Sequence, residues 1–470
     1  MTGASREAFD RRVDRALGDP ILQEVISSGQ DYMQALQERA KRELDWPTWL
    51  DAIEALRSHT IANLDHYVAQ FADNIERLGG RVYFAADAAE ARGYVVEVVK
   101  RKGAKLIVKS KSMVTEEIAL NRALEEVGAE VVETDLGEFI VQLAGERPFH
   151  IVAPAAHKSL EQIRDLFSTM AGEELAADAG VLTTFARRVL REKFLTADIG
   201  ISGCNFGVAA TGTVVLVTNE GNGRMTTTLP KTHVVVMGVE RLVPDLQSLE
   251  PILAVLPWAG AGQRITSYVT AINGPRRLGD GDGPEELHVV LVDNGRSSIL
   301  GSKYEKILHC IRCGACLDVC PVYRKIGGHA YDSTYPGPIG AVLSPLLDGL
   351  ERHPELPFAS SLCGACSEVC SARIPLADYL LELREDAVRA RAGGASWTAG
   401  FRCFAEATRR PRVWALGERV ARLVLRPFER RGGVRNGPGL LGLWTRSRDF
   451  PPLARRSFRE LWRSRRPPGS

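Results

Sequence analysis

Several segments that would place a protein in a familiar class are absent from this 470-residue chain. No apolar run approaches the roughly 20 residues of a transmembrane helix. The longest runs, such as GTVVLVT and HVVVMGV, have the length and composition of strands. The N-terminus alternates charges and has no apolar core of signal-peptide length, so no export signal is expected. We therefore predict a cytoplasmic location, with peripheral attachment to a membrane left open.

The motifs that bind nucleotides through their phosphates are also absent. No GxGxxG follows a strand, and the glycine-rich run at 279–283 lacks the preceding strand and following helix of a dinucleotide fingerprint. No P-loop is present. NAD and ATP are therefore unsupported as cofactors, whereas the lack of a motif does not exclude a flavin.

Lysine is absent from the last part of the chain, which is nevertheless basic. From Phe401 to Ser470 there are 18 Arg, no Lys and 5 acidic residues, against 42 basic and 53 acidic residues in the first 400. Arginine interleaved with Trp is compatible with nucleic acid or anionic membrane. The helical spacing of apolar residues in VWALGERVARLVLRPF instead favours docking on an acidic protein surface, although charge alone does not identify a partner.

Hydrophobic periodicity predicts an α/β fold. Residues 1–68 show helical spacing, and strand-like and helical segments alternate over 69–300, which favours a largely parallel sheet. A cysteine-rich region at 301–395 and an Arg-rich C-terminal region at 396–470 complete the predicted division. The strand candidates are RVYFA, KLIVKS, AEVVETD, HIVAPA, GTVVLVT, HVVVMGV and LHVVLVD.

Nine cysteines in a reducing compartment indicate metal or redox chemistry rather than disulfides. The first run has the C-x2-C-x2-C-x3-C-P spacing of bacterial ferredoxins, whereas zinc sites usually show separated CxxC pairs. Cys204 and Cys403 lie outside the runs and receive no role. The two runs consist of Cys310, Cys313, Cys316 and Cys320, then Cys363, Cys366 and Cys370.

The two runs predict two [4Fe-4S] clusters in a ferredoxin-like domain. In two-cluster ferredoxins the fourth cysteine of each run binds the other run's cluster. The second run is one cysteine short, with Ser360 at the missing position. The second cluster therefore has three cysteine ligands and one open position. Three alternatives remain for this position: an oxygen ligand from Ser360 or Ser361, a water, or no fourth iron, which gives a [3Fe-4S] cluster. The predicted ligands are Cys310, Cys313, Cys316 and Cys370 for the first cluster, and Cys320, Cys363 and Cys366 for the second.

The chain resembles the lactate utilization protein B family of bacterial iron–sulfur proteins. In the cysteine region the resemblance is carried by CIRCGACLDVCPVYRKIGGHAY, YPGPIGAVLSPLL and SSLCGACSEVC. Upstream it is carried by KSKSMVTEEIALN, VVETDLGEFIVQLAGE, ATGTVVLVTNEGNGRM and LPKTHVVVMGVERLVP, and in the tail by WTRSRDFPPLARRSFRELW. The resemblance therefore covers essentially the whole chain. Ser371 departs from the Pro expected after the last cysteine, which affects the expected loop geometry but not the ligands.

The resemblance implies a fold and a role. It implies a Rossmann-type α/β domain related to sugar-phosphate isomerases and coenzyme A transferases. It also implies a part in oxidising L-lactate to pyruvate, which allows growth on lactate, together with two partner subunits. The two-run cysteine set of the family binds two four-iron clusters, and the lack of an eighth cysteine is typical of it.

An anion site is a further candidate within the α/β domain. Lys109, Lys111 and Ser112 follow a strand and precede a helix, where backbone N–H groups bind carboxylate or phosphate. The alternative is solvated lysines with Ser112 as a helix cap. By resemblance, the turn at Thr211, Gly212 and Thr213 faces the same cleft of the α/β domain as this candidate anion site. Arg224 is placed to hold a carboxylate, although a surface turn is the simpler interpretation.

Three functional hypotheses follow. The first is an electron-transfer subunit that need not bind lactate itself, and we predict this non-catalytic role. The second is an oxidoreductase whose α/β cleft binds a hydroxy acid. The third is a nucleic-acid-binding or regulatory iron–sulfur protein. Catalytic residues, the electron donor and the acceptor stay unassigned. Isolated histidines favour a structural role over acid–base chemistry: His150, His157 and His233.

Overall fold

Helical spacing at the N-terminus produces four helices in the computed structural model, which describes residues 3–390, 395–430, 432–445 and 448–465. Asp19 begins the second of them, because its carboxylate accepts a hydrogen bond from the Leu22 N–H at 3.0 Å and Pro20 occupies the first turn. The helices are α1 (Gly3–Leu17), α2 (Pro20–Glu43), α3 (Trp46–Ala62) and α4 (Leu64–Arg77).

Strands and helices then alternate up to residue 292. The strands are β1 (Arg81–Ala85), β2 (Leu106–Lys109), β3 (Glu130–Glu133), β4 (Ile199–Ser202), β5 (Phe206–Val208), β6 (Thr213–Thr218), β7 (Thr232–Gly238), β8 (Leu242–Val243), β9 (Tyr268–Ile272) and β10 (Glu286–Val292). The helices are α5 (Ala88–Lys102), α6 (Met113–Glu117), α7 (Leu120–Glu125), α8 (Leu136–Leu143), α9 (Leu160–Ala171), α10 (Ala179–Thr196), α11 (Asn222–Thr228) and α12 (Leu249–Ala261).

Six of these strands form a parallel sheet in the order β1-β10-β7-β4-β2-β3. Both faces are covered, which is why β7 is buried along its whole length rather than on alternate residues. Val234 packs toward α5 and α7, and Val235 packs toward α4. A mostly parallel α/β sheet with flanking helices is therefore confirmed.

A second sheet, in the order β8-β5-β6-β9, was not predicted. Its strands are short, and β5 pairs antiparallel with β6 and parallel with β8. The predicted strand HIVAPA is wrong: residues 150–155 form a loop. The Phe149 N–H donates to the Pro154 carbonyl at 2.9 Å, and the His150 ring accepts from the Val152 and Ala153 N–H groups, so the local hydrogen bonds close a turn.

The cysteine region is built from short helices that share their core with the preceding parts. Ile26 of α2, Ile53 of α3 and Ile252 of α12 are buried in one apolar cluster with Leu317 and Leu343. The region is thus not a separate globule. Its α-helices are α13 (Ala315–Asp318), α14 (Tyr323–Ile326), α15 (Gly337–Asp348), α16 (Ala365–Glu368) and α17 (Leu376–Arg389), joined by 3-10 turns at Ser297–Ile299, Glu305–His309, His329–Tyr331 and Leu356–Phe358.

The chain divides into two compact units, Met1–Ala392 and Gly393–Ser470. The second unit contains α18 (Ala395–Arg409), α19 (Pro411–Leu425), a 3-10 turn at Arg426–Phe428, β11 (Glu429–Arg430), β12 (Gly433–Val434), α20 (Leu440–Thr445) and α21 (Phe458–Arg465). Helices α19 and α21 bury no side chain, and Trp414 and Trp462 are exposed. Trp397 falls where the side chain is not described. Among the helices in the described ranges, none combines the length and the apolar character that a membrane span requires.

One close contact between the cysteine region and the α/β domain is testable. A Cβ on Gly328 would lie 1.8 Å from the carbonyl oxygen of Phe149. We expect Gly328→Ala to lower the free energy of unfolding by roughly 1–3 kcal/mol, the usual cost of overpacking. Urea unfolding measures it. The matched control is Gly93→Ala in α5, where a Cβ meets nothing within 4 Å. The free energy of unfolding of this control should rise by roughly 0.5–1 kcal/mol. Equal free energies of unfolding for the two variants would contradict the close contact.

Candidate iron–sulfur centre

The two cysteine runs share one backbone conformation. Arg312 and Leu362 both have positive φ, +61° and +55°, and the glycines two residues later, Gly314 and Gly364, have φ of +82° and +86°. A four-residue helix follows in each run, α13 in the first and α16 in the second. Left-handed residues turn the chain sharply and cost little at glycine. Each run therefore wraps as a loop around one point.

The thiols lie close enough to influence one another's pKa, mostly within two sets, although Cys366 of the second set also affects Cys316 of the first. Burial, and then Cys313, Cys310, Cys370 and Cys366, raises the pKa of Cys316. Burial raises the pKa of Cys370 to about 12, with smaller contributions from Cys313 and Cys310.

In the second set, burial and then Cys320 and Cys363 raise the pKa of Cys366 to about 11. The pKa of Cys320 is raised by burial and by Cys363. These proximities are the ones that the predicted ligand sets require, with Cys370 joining the first run and Cys320 the second. The ligation itself stays a prediction.

The four cysteines of the first set border one cavity whose other walls are mostly apolar. Its lining residues are Ile151, Cys310, Ile311, Arg312, Cys313, Gly314, Cys316, Ile339, Cys370, Ser371, Ala372, Ile374 and Leu376. Backbone N–H groups point at the sulfurs: Arg312 N lies 3.4 Å from Cys310 Sγ and Ile374 N lies 3.3 Å from Cys370 Sγ. Convergent sulfurs, an apolar wall and N–H donors to sulfur fit an iron–sulfur cluster, whose ligands are thiolates.

Ser360 occupies the position in the second run that Cys310 occupies in the first. Its Oγ accepts a hydrogen bond from Leu362 N at 3.1 Å, as Cys310 Sγ does from Arg312 N. Ser360 is half-buried, whereas Ser361 is exposed. Cys363 is also exposed, so the second run is the more open one.

A group of buried charges lies behind the first run, and the sequence did not indicate it. Four guanidinium groups and two carboxylates make up this group, here called the arginine cluster. Most of its side chains are almost fully buried, and that of Arg312 is 14% exposed. The members are scattered through the sequence without a motif. They are Arg57, Arg241, Arg296, Arg312, Glu117 and Glu240.

The arginine cluster is joined by short contacts. Arg296 donates two hydrogen bonds of 2.8 Å to Glu117 and one of 2.7 Å to Glu240. Tyr335 Oη donates to Glu117 at 2.6 Å. Arg312 Nη2 lies 3.5 Å from Glu240, and its guanidinium stands 4.3 Å from the centre of the Tyr335 ring. Burial raises the pKa of Glu240, but Arg296, Arg312 and Arg241 outweigh burial and lower it to about 2, so this carboxylate is ionised.

Two arginines of the cluster hold the backbone that leads into the first run. Arg241 Nη1 donates to the Cys310 carbonyl at 2.6 Å, and Arg57 Nη2 donates to the Leu308 carbonyl at 2.9 Å. Burial and the nearby Arg241 lower the pKa of Arg57 to about 9, which leaves it a cation at neutral pH. Charge-assisted hydrogen bonds of this kind fix the position of a loop.

The lysines predicted for an anion site have protein partners. Lys109 is fully buried, and its Nζ lies 2.8 Å from Glu133 and 3.2 Å from Glu116. Burial lowers the pKa of Lys109, but Glu133, Glu116 and Glu138 outweigh burial and hold it above its usual value. Lys111 Nζ donates to the Val152 carbonyl at 2.5 Å. Both ammonium groups are therefore engaged by the protein.

The remaining members of the predicted anion site each have their own surroundings. Ser112 caps α6 by accepting from the Thr115 N–H. The Thr211 and Thr213 hydroxyls lie 2.7 Å apart, and Gly212 between them packs against α4 with a φ of +63°. Arg224 stands 5.5 Å from the centre of the Tyr268 ring. An anion site formed by these residues stays a prediction.

The three isolated histidines are held by neighbouring groups. His150 Nδ1 accepts two backbone hydrogen bonds, and its ring lies beside Gly314 of the first run. His157 Nε2 lies 2.6 Å from Glu146. His233 Nε2 lies 2.8 Å from Ser202 Oγ in the middle of the sheet. Burial raises the pKa of Cys204 to about 12, and Cys403 is exposed in α18.

Family models match three consecutive parts of the chain. The LUD domain matches residues 68–292, the 4Fe-4S dicluster domain matches 306–374, and lactate utilisation protein B, C-terminal, matches 385–466. Relatives match along the whole length. Lactate utilization protein B of Bacillus licheniformis is 50% identical over 464 residues, covering 98% of this chain and 97% of the relative.

The chain belongs to the lactate utilization protein B family. The Bacillus subtilis member is 48% identical over 463 residues, with 98% and 96% coverage, and the Shouchella clausii member is 48% identical over 464 residues, with 98% coverage of both. The predicted family and the presence of a 4Fe-4S region are thus confirmed. A crystal structure of a DUF162 family protein from Deinococcus radiodurans is 16% identical with a TM-score of 0.27, covering 49% of this chain and 98% of that one.

The buried His233 should make the stability of the fold depend on pH. Burial, and then His288, lowers its pKa from 6.5 to about 3, so below pH 6.5 the unfolded chain binds a proton that the folded chain does not. Stability should therefore fall as the pH drops from 6.5 toward 3, by up to about 1.4 kcal/mol per pH unit from this group. We expect His233→Gln to flatten the urea-unfolding profile between about pH 7 and pH 4.5. A slope equal to that of the unmodified chain would contradict a neutral His233.

Proposed function

We propose that this chain is the iron–sulfur electron-transfer subunit in the oxidation of L-lactate to pyruvate, and so takes part in growth on lactate. The observation that carries the proposal is the convergence of seven cysteines into two sets within a chain whose relatives are named for lactate utilization. Lactate oxidation releases two electrons and two protons. A bound four-iron cluster accepts and releases one electron at a time, so two clusters match the electron count.

The proposed ligands follow the two thiol sets. The first [4Fe-4S] cluster takes Cys310, Cys313, Cys316 and Cys370, and the second takes Cys320, Cys363 and Cys366. For the fourth position of the second cluster we propose Ser360 Oγ. The support is its correspondence to Cys310, including the shared hydrogen bond from the N–H two residues later. Ser361 is exposed and has no such correspondence.

The α/β domain has a supporting rather than a catalytic part in this proposal. Its predicted anion-site lysines are engaged by Glu133, Glu116 and the Val152 carbonyl, which gives a hydroxy acid little to bind there. The parallel sheet with crossover helices is compatible with the isomerase and coenzyme A transferase type of Rossmann fold. We also propose that the chain is divided into regions 1–68, 69–300, 301–395 and 396–470. The proposed protein acts with two partner subunits in the cytoplasm.

A reduction assay tests the function. The anaerobically purified chain, with its clusters loaded, receives L-lactate alone or together with the two partner subunits. We expect the cluster absorbance to bleach only when the partners are present, because in the proposed role a partner subunit oxidises lactate and this chain receives the electrons. Bleaching of the isolated chain would contradict the non-catalytic role. Unchanged absorbance in the complete mixture would contradict the link to lactate.

The fourth ligand of the second cluster is tested by substitution and EPR spectroscopy. We expect Ser360→Ala to lose one iron from the second cluster and to show the signal of an oxidised three-iron cluster. Ser360→Cys should keep four irons, because a cysteine thiolate is the usual ligand of such a cluster. Ser361→Ala is the matched control and should resemble the unmodified chain. A Ser360→Ala chain with unchanged iron content and spectrum would exclude Ser360 as the ligand.

A further inference from the structure

Within the arginine cluster, as the described residues form it, positive charges outnumber negative ones. Four guanidinium groups face two carboxylates, so two positive charges remain. Burying unpaired charge is expensive unless an opposite charge lies nearby. Among the described residues of the cluster, Arg57 Nε and Arg312 Nη1 are buried without a hydrogen-bond partner, and of these two residues Arg312 lines the cavity of the first cysteine run. The excess charge therefore calls for an anion beside Arg312.

The first cysteine run supplies the place for such an anion. Arg312 lies between Cys310 and Cys313 in sequence and lines the cavity bordered by the four cysteines of the first set. Arg241 holds the Cys310 carbonyl at 2.6 Å. A four-iron cluster with four thiolate ligands is anionic, and each added electron increases its negative charge.

We propose that the arginine cluster is the counter-charge of the first iron–sulfur cluster, and that Arg312 and Glu240 set its reduction potential with opposite signs. The inference rests on the proposed ligation of that cluster. Positive charge nearby stabilises the reduced form, which carries the extra electron, and so raises the potential. Arg312 raises the potential, and Glu240, whose carboxylate offsets the guanidinium groups beside it, lowers it.

The second run lacks this arrangement, which makes the two clusters unequal. Leu362 occupies the position of Arg312 and shares its positive φ, yet its side chain is apolar and packs on the core. Arg384 is the guanidinium next to Ser360, and it donates to the Ser360 and Pro357 carbonyls through Nη2 and Nε. The two runs thus share a backbone conformation, but the first has a charged side chain, Arg312, where the second has the apolar Leu362. The counter-charge therefore acts on the first cluster selectively.

The test is an anaerobic redox titration of the full-length, cluster-loaded chain followed by EPR. The signal of the first cluster is identified as the one that Cys363→Ser leaves unaltered. We expect Arg312→Gln to lower the midpoint potential of that cluster by a tenfold change or more in its reduction equilibrium, about 59 mV for one electron. Glu240→Gln, which keeps the shape of the side chain, should raise it. Arg384→Gln is the matched control and should leave the first cluster's potential unchanged.

The opposite signs separate an electrostatic role from structural damage. Damage to the loop would change both variants in the same direction or lower their iron content, whereas removal of opposite charges shifts the potential in opposite directions. If Arg312→Gln does not retain the first cluster, the midpoint potential of Glu240→Gln alone tests the inference. Equal potentials in the unmodified chain and Glu240→Gln, or shifts of one sign in both variants, would overturn the inference. A normal iron content in the unmodified chain would meanwhile leave the proposed function standing, whereas an iron-free chain would overturn both.

Discussion

The ion pair between Arg296 and Glu117 is the interaction on which the arrangement of the site depends. It joins the loop after β10 to the last residue of α6, and Glu240 and Tyr335 extend it to the loop after β7 and to the segment between the two cysteine runs. Four distant parts of the chain therefore meet at one buried point. Removing one partner of such a pair leaves an uncompensated buried charge, which is more costly than the pair is stabilising. This point contacts the first run directly, because Glu240 lies 3.5 Å from Arg312 Nη2.

The sequence predicted those features that depend on short-range patterns. Cysteine spacing indicated an iron–sulfur region, which the 4Fe-4S dicluster model also matches, and the apolar segment around Val234 and Val235 marked the centre of a parallel sheet. The register of Ser360 with Cys310 could be counted directly. Each of these signals lies within about ten residues, where spacing alone determines geometry.

Features that depend on long-range contact could not be predicted. Arg57 and Glu240 lie far apart in the chain, and an isolated arginine has no pattern that distinguishes a buried residue from a solvated one. Lys109 appeared available to an anion because Glu133, which pairs with it, belongs to the neighbouring strand. The loop at 150–155 has apolar residues like a strand, but backbone bonds to the His150 ring close it instead. In each case the structure of the residue or segment depends on contacts that its own sequence pattern does not reveal.

The shared apolar core has a consequence for how this family can change. Leu317 between the cysteines packs with Ile26, Ile53 and Ile252, which come from three other elements. An iron–sulfur region of this kind cannot be exchanged for another by recombination at its ends, because a foreign segment would leave those helices without their contacts. Substitutions in α2, α3 and α12 must be compatible with the cysteine loops. The region predicted to bind metal and the parts packed against it are therefore constrained to change together, although separate family models match them.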